Sequence, residues 1–332
     1  MTNERQIRIG IIGAGSIGSL FGGHLAKSQS DKYQTNVIFF GREEHIEAIN
    51  EKGLSLIKEN TTEIIDKIKG YVKPKDYLDK MGEEGFHFCF LTTKTYDIEP
   101  TLKEYKKIID KSDRLVILQN GIGNEDLVQE YVPKSKIIRA ITSNGAFLAE
   151  PGKVEHTGKG FTKIGLAFPN TREDKERENR EYQGLKLLRE ILTGNNIKTT
   201  ISENIIKDCW EKIFVNIGIN PFGALTRLRN GKLMENTNIK ALMRDAVNEA
   251  VHVAKQKGVN LSDENFVELT YSVARKTEDN VNSMLQDILK GKQTEIDFIN
   301  GKIVQYAEEL GIDVPINRTL THLIKGLENS SL

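Results

Sequence analysis

The chain has 332 residues, about twice the length of a typical domain, which predicts two domains that each bury a core. Its 47 Lys and Arg balance 47 Asp and Glu, which excludes recruitment of nucleic acid or an anionic membrane by overall charge. No segment offers the ~20 apolar residues of a membrane span, and the polar start has no signal-peptide pattern, so we expect a cytoplasmic protein. Cys89 and Cys209 lack the paired spacing of a metal or redox site and are expected to be buried thiols.

The first part of the chain alternates short β-branched runs with segments of helical length. The runs predict buried strands at residues 7–12, 37–40, 86–91, 115–118 and 137–141. Apolar strands that alternate with helices are typical of a parallel sheet covered on both faces. We therefore predict a doubly wound, Rossmann-type α/β domain over residues 1–203.

Two shorter strands follow at residues 153–156 and 161–166, and then a run of seven charged residues at 172–178. We interpret that run as the start of a solvated helix with Thr171 as its N-cap and Asp174 three residues later. No catalytic role is predicted for the whole charged stretch, 172–181.

From residue 204 the apolar spacing changes to long segments with a period of 3.6. Helices are predicted at residues 205–220, 239–257, 264–276 and 295–310. The second domain, residues 204–332, is therefore predicted to be all-α. Its apolar helix faces could serve either its own core or a homodimer interface, and the pattern does not choose between them.

A glycine motif lies directly after the first predicted strand and opens a helix at residues 19–27. It consists of Gly13, Ala14, Gly15, Ser16, Ile17 and Gly18. In a strand, turn and helix of this kind the first glycine permits a sharp turn, the second lets the backbone approach a pyrophosphate, and the third lets the helix pack on the sheet. The alternative is a flexible glycine loop, but the order of strand, motif and helix favours dinucleotide binding.

The tip of the second predicted strand indicates which dinucleotide binds. An NAD site usually has an acidic residue here, whereas this chain has Gly41 and Arg42. A guanidinium can hold a 2′-phosphate through paired, charge-assisted hydrogen bonds, so Arg42 predicts NADPH. Glu43 and Glu44 follow at once, and a solvated surface arginine is the alternative interpretation.

Two loops follow the third and fourth predicted strands, where open α/β sheets bind ligands. Lys94 comes after Thr92 and Thr93, and Asn120 lies between Gln119 and Gly121. We interpret both loops as cofactor-facing, although Lys94 could equally be an ordinary surface lysine.

A polar stripe runs along the predicted helix 205–220. Lys212, Asn216 and Asn220 recur every four residues and therefore share one face of an otherwise apolar helix. Such a stripe either faces water or is buried with partners, because an unpaired buried polar group costs a few kcal/mol. A substrate is one such partner.

Four segments together resemble the ketopantoate reductase (2-dehydropantoate 2-reductase) family, and the resemblance extends over almost the whole chain. They are the glycine motif 13–18, the loops 91–94 and 119–121, the helix 210–216 with 220–221, and the segment 283–287 with 294–301, preceded by Asn280. The resemblance implies reduction of ketopantoate to pantoate with NADPH, a step toward pantothenate and coenzyme A.

The resemblance also implies roles for individual residues. Lys212 would be the proton donor and Glu295 its partner, a pair that suits the negative charge left on a ketone oxygen when hydride arrives. The residues around the substrate would be Asn216, Asn220, Asn280 and Ser283, and those that serve the cofactor would be Arg42, Lys94 and Asn120. Glu295 could instead be a carboxylate at a helix N-terminus, and Ser283 a hydroxyl on a helix surface.

Two other functions stay open. The same scaffold could reduce another small 2-keto acid, since a pocket separates small alkyl groups by only ~1–3 kcal/mol. A non-catalytic NADP(H) sensor is the second alternative, and the presence of both Lys212 and Glu295 argues against it.

Overall fold

A computed structural model describes residues 5–28, 32–59, 61–82, 84–169 and 175–330, without the side chains of 175–179. The predicted cap at Thr171 and Asp174 lies outside these residues. The chain divides into two compact units. The first comprises Met1–Gln119 and Asn124–Ile205, and the second comprises Asn120–Gly123 and Ile206–Leu332. The short segment Asn120–Gly123 was predicted to belong to the first domain, whereas it groups with the second unit.

All strands of the described residues lie in the first unit. They are β1 (Arg5–Ile12), β2 (Tyr33–Phe40), β3 (Leu54–Lys58), β4 (Thr61–Ile65), β5 (Lys69–Tyr71), β6 (Phe88–Leu91), β7 (Arg114–Ile117), β8 (Ile137–Thr142), β9 (Gly145–Glu150), β10 (Lys153–Gly158), β11 (Thr162–Leu166) and β12 (Thr199–Ile201).

The helices of the first unit connect these strands. They are α1 (Ser16–Ala26), α2 (Glu43–Lys52), α3 (Pro74–Met81), α4 (Ile98–Glu104), α5 (Lys106–Lys111), α6 (Asn124–Val128) and α7 (Lys175–Gly194). Short 3-10 turns occur at Thr95–Asp97 and Lys134–Lys136.

Eight strands form the main sheet in the order β12-β11-β8-β7-β6-β1-β2-β5. Only β8 and β11 pair antiparallel, and the other six strand pairs are parallel. Two apolar clusters include residues of these strands, and β6 is apolar throughout, as expected of a parallel strand buried on both faces. The predicted α/β fold of the first domain is confirmed. The strand order reverses between β1 and β6, so their carboxyl ends form the crevice where such sheets bind ligands.

A second, four-stranded sheet has the order β4-β3-β10-β9 and was not predicted. Its strand β10 matches the predicted strand 153–156, but β3, β4 and β9 are short and partly exposed. Half-exposed strands carry mixed polar and apolar residues, so their pattern is weak in the sequence.

The second unit is helical over its described residues, as predicted. Its helices are α8 (Ile205–Thr226), α9 (Asn230–Leu233), α10 (Thr237–Gln256), α11 (Phe266–Lys276), α12 (Ser283–Leu289), α13 (Asn300–Leu310) and α14 (Pro315–Asn329), with a 3-10 turn at Ile296–Phe298. No helix in the described part of the chain is long and apolar enough to cross a membrane.

Two predicted helix limits are wrong. The helix 205–220 was expected to end before Pro221, but α8 continues through this proline to Thr226. Burial of Phe222 and Ala224 favours the continuation despite the lost N–H. The helix 295–310 was expected to be continuous, but Ile299, with φ −110° and ψ −95°, separates the 3-10 turn from α13.

Cys89 and Cys209 are both buried and free, as predicted. Burial raises the pKa of the Cys89 thiol, so this group stays protonated and unreactive.

Candidate active site

The glycine motif forms the turn from β1 into α1. Gly13 has φ +97°, and a Cβ placed on it would lie 2.5 Å from the Thr93 nitrogen. A Cβ on Gly18 would lie 2.5 Å from the Gly13 oxygen. At Gly15, in contrast, a Cβ would meet only the Gly13 oxygen, at 3.9 Å. Packing within the protein thus requires glycine at positions 13 and 18, whereas the space beside Gly15 is open.

The amides of this turn divide into used and available groups. The backbone nitrogens of Gly13 and Ala14 both donate to the Phe40 oxygen, at 2.9 Å each, which ties the loop to the end of β2. Gly15 is the N-cap of α1 and provides no side-chain cap, and the first turn has no acidic residue. Because the first amides of a helix have no partner within it, those that follow Gly15 suit an anion.

The other two residues of the motif anchor it. The Ser16 hydroxyl oxygen accepts a hydrogen bond from the Leu148 nitrogen at 3.1 Å, which joins α1 to β9 of the second sheet. Ile17 is partly buried and packs against the apolar cluster of the first unit.

Two positively charged residues follow the carboxyl ends of β2 and β6. Arg42 is exposed and is the N-cap of α2, while Lys94 is half-buried and precedes the 3-10 turn Thr95–Asp97. Burial raises the pKa of Asp97, and the nearby Arg42 and Lys94 charges act in the opposite direction. The three groups therefore share one electrostatic neighbourhood. Sequence reasoning missed Asp97, although its position three residues after Lys94 was visible.

The first unit thus offers the groups that a phosphorylated dinucleotide requires. The open space at Gly15 and the uncapped start of α1 suit a pyrophosphate, and Arg42 and Lys94 suit a further phosphate.

A hydrogen-bonded chain of three side chains lies in the second unit. The Lys212 Nζ on α8 donates to the Asn120 Oδ1 at 2.9 Å, and the Asn120 Nδ2 donates to the Glu295 Oε2 at 3.3 Å. An ammonium only donates and a carboxylate only accepts, so these partners fix the orientation of the Asn120 amide. Lys212 was predicted to pair with Glu295, and Asn120 to serve the cofactor, whereas the structure inserts Asn120 between Lys212 and Glu295.

Glu295 is buried, but it does not lie at the start of a long helix. It precedes the 3-10 turn Ile296–Phe298, and α13 begins at Asn300. The turn is anchored from both sides, because the Thr294 nitrogen donates to the Glu328 Oε1 at 2.7 Å and the Ile296 nitrogen donates to the Thr294 Oγ1 at 3.2 Å. The dipole of a long helix is therefore not what stabilises this carboxylate.

The loop that carries Asn120 packs closely on the same turn. Gly121 has φ +90°, and a Cβ on it would lie 2.7 Å from the Phe298 oxygen. Only glycine accommodates both the backbone conformation and this approach. Gly121 thus allows Asn120 to reach Glu295, which lies three residues before Phe298.

The remaining predicted substrate residues differ in exposure. Asn216 is half-buried and Asn220 is buried, both on α8 with Lys212. The side chains of Asn280 and Ser283 are exposed. Ser283 is the first residue of α12, whose N-cap is the buried Asn282. The structure therefore brings Lys212, Asn120 and Glu295 together and leaves Asn280 and Ser283 at the surface.

Two further residues brace the carboxyl ends of the strands. The Thr92 Oγ1 donates to the Gly13 oxygen at 2.8 Å, and the Gln119 Nε2 donates to the Thr93 Oγ1 at 3.0 Å. In these loops, roles were predicted only for Lys94 and Asn120. Polar residues at strand ends could have indicated such bracing.

The chain matches one protein family along most of its length. The family Ketopantoate reductase PanE/ApbA matches residues 9–167, and its counterpart, Ketopantoate reductase PanE/ApbA C terminal, matches residues 204–328. A 2-dehydropantoate 2-reductase from Pyrococcus abyssi is 38% identical over 322 residues, which are 97% of this chain and 98% of the relative. The Archaeoglobus fulgidus relative of the same name is 32% identical and covers 98% of this chain and 99% of its own.

Solved structures share the fold of this chain. A PanE/ApbA family ketopantoate reductase from Ralstonia eutropha has a TM-score of 0.82 at 26% identity and covers 97% of this chain and 99% of its own. D-mandelate dehydrogenase in a ternary structure with NADH and anilino(oxo)acetate has a TM-score of 0.84 at 25% identity. It covers 98% of this chain and 99% of its own.

Proposed function

The chain belongs to the ketopantoate reductase family, and we propose that it reduces 2-dehydropantoate to pantoate with NADPH. The observation that carries this proposal is the chain of hydrogen bonds from Lys212 through Asn120 to Glu295. It provides a cation held by Asn120, whose amide is in turn held by a buried carboxylate. A positioned cation stabilises the negative charge that develops on a carbonyl oxygen during reduction by hydride. The resemblance to this family that was seen in the sequence is confirmed by the comparisons.

The proposed mechanism assigns the cofactor to the first unit. The amides after Gly15 would hold the pyrophosphate, and Arg42 and Lys94 would hold the 2′-phosphate. When bound, NADPH supplies the hydride that the keto carbon receives. Asp97 moderates the positive field of Arg42 and Lys94.

The second unit supplies the proton and holds the substrate. The Lys212 ammonium donates its proton to the keto oxygen as negative charge develops there, so a hydroxyl results. Asn120 directs the ammonium through its Oδ1, and Glu295 fixes Asn120 by accepting from its Nδ2. Asn216, Asn220, Asn280 and Ser283 bind the rest of the keto acid.

A spectrophotometric assay tests the proposal. Purified protein is mixed with NADPH and ketopantoate, and loss of absorbance at the nicotinamide band is followed. We expect turnover that requires both compounds. NADPH binding without turnover of any keto acid would instead favour the sensor.

The substrate requires its own comparison, because D-mandelate dehydrogenase shares the fold across almost the whole chain. The same assay is repeated with an aromatic 2-keto acid and with NADH. The proposal predicts the highest kcat/KM for ketopantoate with NADPH. A higher value for the aromatic acid would assign the chain a different 2-keto acid.

A further inference from the structure

A buried ion pair in the first unit involves Glu125, which follows Asn120 by five residues in the sequence. Arg139, in β8, is fully buried, and its Nε lies 3.4 Å from the Oε2 of Glu125, which is 5% exposed. The Arg139 Nη1 also donates to the Ile117 oxygen at 2.9 Å and to the Ala140 oxygen at 3.0 Å. Neither residue has a role in the reaction proposed above.

Stability alone is a weak explanation for this pair. Removing a guanidinium and a carboxylate from water is costly, and an apolar pair of similar volume often stabilises a core equally well. A buried charge pair is better explained where its directional contacts fix a geometry. Here the contacts of Arg139 are made to two residues, Ile117 and Glu125, that flank one loop.

Those two points are the ends of the loop. Ile117 is the last residue of β7, and Glu125 is the second residue of α6. The Arg139 guanidinium therefore contacts the residues that flank segment 118–124, which includes Asn120. Gly121 and Gly123 within this loop have φ +90° and +76°. Glycine has wide backbone freedom, so the loop gains definition from being held at both ends.

We infer that Arg139 is a positioning residue for catalysis, which with Glu125 holds the two ends of the loop and so places Asn120. This inference rests on the role proposed for Asn120. Arginine suits the task because its Nη1 donates to the Ile117 carbonyl while its Nε lies beside the Glu125 carboxylate, two positions that the single nitrogen of lysine does not reach together.

The decisive variant replaces both charges with apolar side chains of similar volume, Arg139→Met with Glu125→Leu. We expect it to melt close to wild type, because no unpaired charge is left in the core. Its kcat for ketopantoate should nevertheless fall by about tenfold or more, with NADPH affinity unchanged. In an Asn120→Ala background the same replacement should lower kcat by less than about twofold, since both changes act through one group.

A control separates positioning from general stability. Ser112→Ala removes two buried hydrogen bonds at the opposite end of β7, to the Phe86 nitrogen and the Ile108 oxygen. It should lower the melting temperature but not kcat. The inference is overturned if the variant with the apolar pair has wild-type kcat. It is also overturned if the apolar pair lowers kcat by the same factor in the Asn120→Ala background as in the wild-type background.

Two additional measurements cover the remaining cases. If the apolar pair does not fold, Arg139→Lys keeps a charge beside Glu125, and a wild-type kcat in that variant overturns the inference. If the wild-type protein reduces no keto acid, the proposed function fails, but the nitrogen resonance of the Lys212 ammonium still tests the positioning. Whichever of these two variants folds, that resonance should shift relative to wild type, because Lys212 donates to Asn120. An unchanged resonance overturns the inference.

Discussion

Replacing Asn120 by alanine tests the hydrogen-bonded chain at its centre. The substitution removes an acceptor 2.9 Å from the Lys212 Nζ and a donor 3.3 Å from the Glu295 Oε2. Hydrogen bonds to charged groups contribute ~1.5–3 kcal/mol, and the longer bond to Glu295 contributes less than the shorter one. If the loss falls on the transition state, kcat should decrease by about 10- to 150-fold.

The assay is steady-state NADPH oxidation at saturating ketopantoate, with NADPH affinity measured by titration. Asn50→Ala is the matched control, because it removes two hydrogen bonds of similar length, to the Gly70 nitrogen and oxygen, but touches no charged group. Asn120→Asp should be at least as impaired as Asn120→Ala, since its carboxylate would face Glu295. The reasoning is refuted if Asn120→Ala keeps kcat within about twofold of the Asn50→Ala control.

Three other predictions concern the cofactor, the substrate and pH. Arg42→Ala should weaken NADPH binding by ~1.5–3 kcal/mol and leave NADH binding unchanged in titrations, and equal losses would contradict the assignment. Ser283→Ala should raise the KM for ketopantoate without changing NADPH affinity, and weaker NADPH binding would reject a substrate role. Burial lowers the pKa of both His24 and His45 to about 4 from the usual 6.5, so the unfolded chain binds more protons between these values. The free energy of unfolding should therefore fall as pH drops from 6.5 to 4, by up to about 3 kcal/mol per histidine, and urea titrations of His45→Gln should show a shallower fall.

The sequence predicted the parts of the fold that have strong local signals. The central strands were found because buried parallel strands are apolar throughout, as in β6. The glycine motif was found because backbone geometry at Gly13 and packing at Gly18 restrict the residue type. The spacing of the polar stripe pointed to Lys212, but its role as proton donor and its partner Glu295 came only from the resemblance, since no local pattern links two residues so far apart in the sequence.

The remaining features depend on contacts between distant segments. The place of Asn120 follows from Gly121 packing on the Phe298 oxygen, which no local pattern encodes. Arg139 lies in an apolar run, and its partner Glu125 is 14 residues away in the sequence. The second sheet escaped prediction because its strands are short and half-exposed.

Lys212→Ala measured for ketopantoate-dependent NADPH oxidation tests the central claim most directly. Loss of a positioned general acid typically lowers the rate by ~10²–10⁴, whereas loss of a structural lysine at a helix surface changes it little. The variant should fold and bind NADPH as wild type does, and its kcat at saturating keto acid should decrease by that factor. A kcat within a few-fold of wild type would mean that another group supplies the proton, and would contradict the proposed mechanism.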